Sequence, residues 1–292
     1  MGSGTKWTFF STAQKLSSPF LTPGGHLFII CSMPKFAANL SMLFTEAPFI
    51  ERFGLAHAAG FTGVEFLFPY AFDADDIKDR LLRHQLQLVL HNLPPGDWQA
   101  GERGMACDPR RFAEFQDGVG LALEYARELG TPRVHCMAGI LPGGLAPERA
   151  REAYIHAVQY AADQFAPHGI EVLIEPINHF DLPGYFLNHS RQALEIIADA
   201  ARANLFLQYD IYHMQRMEGE LANTIRACLP QIRHMQLADT PGRHEPGSGE
   251  INYPFLFRLL DELAYQGWIG CEYLPRARTE DSLAWAEPYL RA

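Results

Sequence analysis

The stretch that decides the fold runs from Arg133 to Pro176. It reads Arg133-Val134-His135-Cys136-Met137, then an amphipathic segment from Pro147 to Ala166, then Glu171-Val172-Leu173-Ile174-Glu175-Pro176. The outer pieces are short and mostly apolar, the pattern of parallel strands covered on both faces. The middle piece opens on proline, which a first helical turn tolerates, and stops ahead of Pro167 and Gly169, where a helix ends readily. Strand, helix and strand in that order make one βαβ unit, whose crossover is right-handed almost without exception.

Outward from this unit the same alternation starts near Lys35 and continues to the C-terminus. It predicts strands over Phe36–Leu40, Gly63–Phe68, Gln87–Asn92, Arg133–Met137, Glu171–Pro176, Leu205–Tyr209, His234–Ala238 and Ile269–Tyr273. Helices are predicted over Pro48–Ala59, Asp75–His84, a segment capped by Asp108 and ending at Leu129, Pro147–Ala166, a segment capped by Ser190 and reaching Ala201, Glu220–Leu229, Pro254–Gln266, and from Thr279 onward. Eight strands alternating with eight helices over about 250 residues match the closed (β/α)8 TIM barrel of the α/β class. A doubly wound open sheet is the runner-up, and it would place a glycine-rich nucleotide turn after the first strand. Leu40-Ser41-Met42-Leu43 offers none.

Composition narrows the function. The 292 residues are 48% hydrophobic and 20% charged, enough apolar material for one large core. A net charge of -10, with the basic residues scattered, gives nothing to draw a phosphate backbone, so nucleic acid is excluded as a partner. No run reaches the roughly 20 apolar residues of a membrane span. Five widely spaced cysteines (Cys31, Cys107, Cys136, Cys228, Cys271) with no C-x-x-C pair read as reduced thiols and predict a cytoplasmic protein. Residues 1–32 are rich in Ser, Thr, Gly and Pro and are expected to be a disordered extension, with the barrel occupying residues 33–292. A secretory signal is the alternative, and Pro23-Gly24-Gly25 interrupt it early.

In TIM barrels the chemistry sits at the C-terminal ends of the strands. Four strands of the second half run into an oxygen-bearing residue: Glu175, Asp210, Gln236 and Glu272. Each alone has a structural reading, as a helix cap or the partner of an arginine. Together they would crowd three carboxylates around one point, and such carboxylates repel unless protons or a cation neutralise them. A divalent metal bound by all four is the economical solution, and an all-oxygen set favours Mg²⁺ or Mn²⁺ over zinc. A metal chelating a carbonyl and the adjacent hydroxyl acidifies the C–H between them, and a glutamate on either side can remove and return the proton. Glu175 and Glu272 are the expected catalytic pair, with Asp210 and Gln236 as passive ligands and no organic cofactor.

At this point the residues resemble a known family, the xylose-isomerase-like barrels, and within it the hydroxypyruvate isomerases. The resemblance rests on Glu175-Pro176-Ile177-Asn178, Asp210-Ile211-Tyr212-His213, His234-Met235-Gln236-Leu237-Ala238-Asp239, the loop Pro241–Tyr253 and Gly270-Cys271-Glu272-Tyr273, and covers Met33 to the C-terminus. It implies that Glu175, Asp210, Gln236 and Glu272 hold the metal and that Glu175 and Glu272 exchange the proton. Glutamine at strand seven, where sugar epimerases similar to tagatose 3-epimerase carry histidine, favours the hydroxypyruvate branch. The chain also looks unlike endonuclease IV, whose three-zinc site needs more histidines.

The implied reaction interconverts hydroxypyruvate and tartronate semialdehyde. A 2-oxo-tetronate isomerase is the alternative, and a sugar epimerase or a metal-dependent hydrolase or lyase stands further off. Arg243 is a candidate for the substrate carboxylate and equally a surface-loop arginine. His213 is a candidate for a substrate oxygen or for orienting a ligand. His91 and Glu65 are placed at the pocket, Glu65 with an alternative as a support to the ligands. Asp181, Asn178 and Glu250 are candidates for the mouth of the site, and Phe66, Phe68, Tyr70 and Trp98 for walls that exclude water. The expected partner is a small 2-oxo or hydroxy acid, and pairing through the outer helices would give a homo-oligomer.

Overall fold

The computed structural model describes residues 34–290. Eight parallel strands close into a barrel in sequence order: β1 Lys35–Asn39, β2 Gly63–Phe66, β3 Gln87–Asn92, β4 Arg133–His135, β5 Glu171–Ile174, β6 Leu205–Asp210, β7 Ile232–Leu237 and β8 Trp268–Cys271. β1 pairs with β8, so no strand edge is left open. The helices are α1 Phe49–Ala58, α2 Ala74–Arg83, α3 Phe112–Leu129, α4 Pro147–Phe165, α5 Ser190–Ala200, α6 Ile211–Met217, α7 Leu221–Cys228, α8 Tyr253–Glu262 and α9 Glu287–Leu290. The reading of residues 1–32 lies outside the described residues. No helix of the described residues is long and apolar enough to cross a membrane. Cys107, Cys136, Cys228 and Cys271 are buried free thiols.

Local signals explain most boundaries. Asp108 accepts a hydrogen bond from the Arg110 N–H at 3.1 Å and opens a 3-10 turn ahead of α3, which ends on Gly130 at φ 65°. Asn252 caps α8. Ser190, expected as a cap, is instead the first residue of α5, and its hydroxyl donates to Glu218 at 2.8 Å. The sequence reading passed over α6, because it follows β6 with no linker: Asp210 closes the strand and caps the helix at once. The stretch from Thr279 forms a 3-10 helix, Glu280–Ala286, leading into α9.

Side chains alternate between two environments. Those facing the helices join the large outer core. Those facing the barrel axis form layers. At the bottom Ala37, Val89, Leu90 and Leu173 pack together with Phe206 and Trp268. Two residues further along each strand the inward positions turn polar: Asn39 above Ala37, Glu175 above Leu173, Gln208 above Phe206. One irregularity matters for the site. β3 carries an extra residue opposite the Val64/Glu65 step of β2. Both Val89 and Leu90 therefore reach the interior layer, and the alternation beyond them shifts by one residue.

Candidate active site

Glu175 follows β5 directly and Glu272 follows β8, while Asp210 ends β6 opposite Gln236 of β7. The closed barrel brings these strand ends together. One donor atom each from Glu175, Asp210, Glu272 and His213 lie within 4.8 Å of one another, and all four residues are buried. Glu175 accepts from the Gln208 amide through Oε2 at 3.1 Å, while its Oε1 has no partner. Asp210 Oδ1 accepts the Tyr212 N–H at 2.8 Å, and Oδ2 has none. The structural reading of Asp210 holds, since one oxygen caps the helix, and the other oxygen is left over. Glu272 accepts from Asn39 at 3.3 Å and from Arg243 Nη2 at 2.7 Å.

Burial and mutual repulsion move these carboxyls the same way. Desolvation, then the charges of Glu272 and Asp210, hold Glu175 well above the ordinary carboxylate range. Desolvation pushes Glu272 up to about 8 against the opposing pull of Arg243, and Asp210 up to about 6. Unpartnered buried carboxylate oxygens at Glu175 and Asp210 fit a hard divalent cation, which would supply the missing charge. The Gln236 carbonyl shares the Gln208 amide with Glu175: its Nε2 donates to Glu65 at 2.8 Å and its Oε1 accepts from Gln208 at 2.6 Å, leaving a lone pair.

His213 stands beside the two unpartnered oxygens, with Nε2 at 3.6 Å from Asp210 Oδ2 and 4.0 Å from Glu175 Oε1. Its other nitrogen faces Asn178 Nδ2 at 2.6 Å. The Asn178 amide is oriented by Asp181, whose N–H donates to Oδ1 at 2.9 Å. Nδ2 is then the donor and His213 Nδ1 the acceptor, so the neutral ring carries its proton on Nε2. Burial, then the nearby Arg243 and Arg216, hold the imidazole well below its usual pKa and keep it neutral. An Nε2–H aimed at the centre of the site can donate to an oxygen and cannot ligate a cation.

Beneath lies a polar platform that the sequence reading largely missed. Glu65 accepts from Asn39 at 2.9 Å and Gln236 at 2.8 Å, and pairs with His234 Nε2 at 2.6 Å. It crosses the barrel floor over Gly270, where a Cβ would meet both carboxylate oxygens at 2.3 Å. His135 reaches to 3.5 Å from Glu175 Oε2, and neither of its ring nitrogens is hydrogen-bonded. The usable signal for these residues was their spacing: Gln208 stands two before Asp210, and His234 two before Gln236.

A cavity of about 350 Å³ opens on the site, lined by Glu175, Glu272, His135, His213, Arg243 and Asp181 among others. Two residues placed at the substrate by sequence do not line it. Glu65 lies below, holding the platform, and the shift in β3 sends Asn92 to the cavity in place of His91. Burial depresses the His91 pKa to about 4, and its ring packs against Tyr70. Of the four aromatics proposed as walls, Trp98 lines the cavity, with Phe68 behind it at 5.1 Å between ring centroids. Glu250 lines a separate depression beside α7 and α8. Arg243 sits at φ 55° in a loop tied together by Asp239, whose carboxylate accepts the N–H groups of Thr240, Gly247, Gly249 and Ile251.

A model of the xylose isomerase-like TIM barrel family matches residues 53–289. The chain belongs to that family. Within it, the hydroxypyruvate isomerase of Escherichia coli (strain K12) is 51% identical over 257 residues, covering 88% of this chain and 100% of the relative. The 2-oxo-tetronate isomerase of Cupriavidus necator is 48% identical over 258 residues, covering 88% and 99%. Among solved structures, AP endonuclease, family 2, from Brucella melitensis superposes with a TM-score of 0.86 at 51% identity, over 88% of this chain and 99% of that one. A 3-keto-D-glucoside 4-epimerase from E. coli, at 22% identity and a TM-score of 0.72 over 88% of this chain and 99% of that one, shares the fold.

Proposed function

We propose that this xylose isomerase-like barrel interconverts hydroxypyruvate and 2-hydroxy-3-oxopropanoate (tartronate semialdehyde). The curated relatives are isomerases, and the chain is an enzyme of that type. The observation that carries the reading is the pair of buried glutamates, Glu175 and Glu272, opening from β5 and β8 onto one cavity beside an uncompensated carboxylate oxygen of Asp210. One glutamate removes the proton from the hydroxymethyl carbon, and an enediolate forms across the two carbons. The other protonates the former carbonyl carbon. The hydroxyl proton crosses between the substrate oxygens, where the His213 Nε2–H is placed to donate. A divalent cation, Mg²⁺ or Mn²⁺ by donor chemistry, held by Glu175, Asp210, Gln236 and Glu272, would acidify that C–H by polarising the carbonyl and its neighbouring hydroxyl. Arg243 holds Glu272 in place.

A coupled assay of the purified protein on hydroxypyruvate and on 2-oxo-tetronate, before and after EDTA, tests this. Turnover of hydroxypyruvate that EDTA abolishes and added Mg²⁺ or Mn²⁺ restores is the expected result. Rapid turnover of the four-carbon acid with negligible turnover of hydroxypyruvate would move the assignment to the second reading, which the Cupriavidus relative supports. A hydrolase reading in the sense of the Brucella protein's name asks for further metals. Among the described residues one cluster, around Glu175, Asp210 and Glu272, is close enough to hold a cation, and two or three tightly bound zinc ions per chain would count against the isomerase.

A further inference from the structure

The carboxylate of a 2-oxo acid needs a cationic partner, and the arginine closest to the glutamates is already engaged. Arg243 Nη2 is bound to Glu272, its Nη1 lies 3.9 Å from Asp181 Oδ2 and its guanidinium lies over the Tyr212 ring, so its charge is paired with two carboxylates although its buried Nε has no partner. The cavity has a second arginine, Arg103, in the loop between β3 and α3. Among the described residues no carboxylate pairs with it. Its Nη1 donates to the Trp98 and Glu102 carbonyls at 3.0 and 2.6 Å, and its guanidinium stacks on the Trp98 ring 3.7 Å from the centroid. Nε and Nη2, the edge that grips a carboxylate with two parallel hydrogen bonds, are left without a protein partner.

The loop is built to hold that edge still. Gly104 N–H donates to the Pro95 carbonyl at 2.8 Å, and the Asp97 N–H donates to the Glu102 carboxylate at 2.6 Å. Arg111 pairs with Glu102 at 2.7 Å from outside. Gly104, at φ 101°, bridges to Ala138 just past β4, where a Cβ would meet Met137 at 2.7 Å. Gly139 meets Gly104 from the other side equally closely, so two glycines let the loop seat directly on the strand end that carries His135 and Met137 into the cavity.

We propose that the Arg103 guanidinium, stacked on Trp98, binds the substrate carboxylate and makes this site selective for 2-oxo acids over neutral hydroxy-carbonyl compounds. The inference rests on the isomerase reading above. The test is steady-state kinetics of the wild type, Arg103→Gln and Arg103→Lys on hydroxypyruvate, with competitive inhibition by dihydroxyacetone, in which a hydroxymethyl group replaces the carboxylate. Arg103→Gln should raise KM about 10–100-fold, the loss expected of one charge-assisted pair, with kcat within a few-fold and inhibition by dihydroxyacetone unmoved. Arg103→Lys should recover part of the affinity. An unchanged KM, or a KM and a dihydroxyacetone constant that rise together, would overturn the assignment. A wild type inactive on both three- and four-carbon 2-oxo acids would instead sink the functional reading itself.

Discussion

Gly270→Ala is the substitution whose outcome the structure fixes most sharply. The added methyl would stand 2.3 Å from both oxygens of Glu65, where ordinary contact begins at 3.4 Å. The carboxylate must retreat by about 1 Å, and a close-packed barrel interior has little room for it. It cannot retreat freely, because Asn39, His234 and Gln236 all bond to it. Hydrogen bonds to a charged group contribute about 1.5–3 kcal/mol each, so stretching three and adding overpacking should cost roughly 2–4 kcal/mol. Thermal denaturation should show a fall of about 5–12 °C, at roughly 2–4 °C per kcal/mol for a domain of this size. Activity should fall too, since Asn39 also holds Glu272 and Gln236 faces Glu175 through Gln208. Glu65→Asp shortens the side chain by one methylene, so the double variant should recover part of the melting loss. A Gly270→Ala protein with wild-type melting temperature and rate would refute the claim that Glu65 organises the site from below.

Four further outcomes follow from the same geometry. Glu175→Gln and Glu272→Gln should each lower kcat by about 10²–10⁴-fold with the fold intact by circular dichroism. With chelator present Glu175→Gln should raise the melting temperature, because it removes one of the mutually repelling buried carboxylates; a lower one would contradict the electrostatics. In cation-free protein Glu272 and Asp210 hold protons up to about 8 and about 6, where the unfolded chain has released them near 4.5 and 3.8. Folding then takes up protons, so stability in EDTA should decline as pH rises from 5 to 8, and Mg²⁺ or Mn²⁺ should flatten the decline. An opposite slope in calorimetry would overturn the assignment of raised carboxyls. Nitrogen-15 spectra should find His213 neutral with its proton on Nε2, and an Nδ1–H tautomer would return the ring to the set of cation ligands.

The fold was legible because its signals are local. Proline at the start of α4, glycine after α3 and short apolar runs in between each act over a few residues, and eight repetitions leave little choice of architecture. The failures were local too. Nothing in Asp210-Ile211-Tyr212 separates a strand end from a helix cap, because one side chain serves both. The extra residue in β3 leaves Leu88-Val89-Leu90-His91-Asn92 looking like an unbroken buried strand, so His91 was assigned to the face that Asn92 occupies.

The site was half legible for a different reason. Glu175 and Glu272 stand out because each ends an apolar run and projects into the open mouth of the barrel. The residues that support them sit inside strands, and their purpose depends on closure: Asn39 and Glu272 are neighbours only because β1 pairs with β8. Gly270 carries no chemistry of its own and is required by a carboxylate arriving from β2. Arg103 was invisible for the complementary reason. It lies in a loop with no periodicity, and what distinguishes it from Arg243 is the absence of a carboxylate partner, a property of assembled space. The two arginines therefore divide one requirement. Arg243 is ion-paired with Glu272, the glutamate proposed to exchange the proton, so under the proposal above charge recognition of the substrate passes to the arginine that has no carboxylate partner.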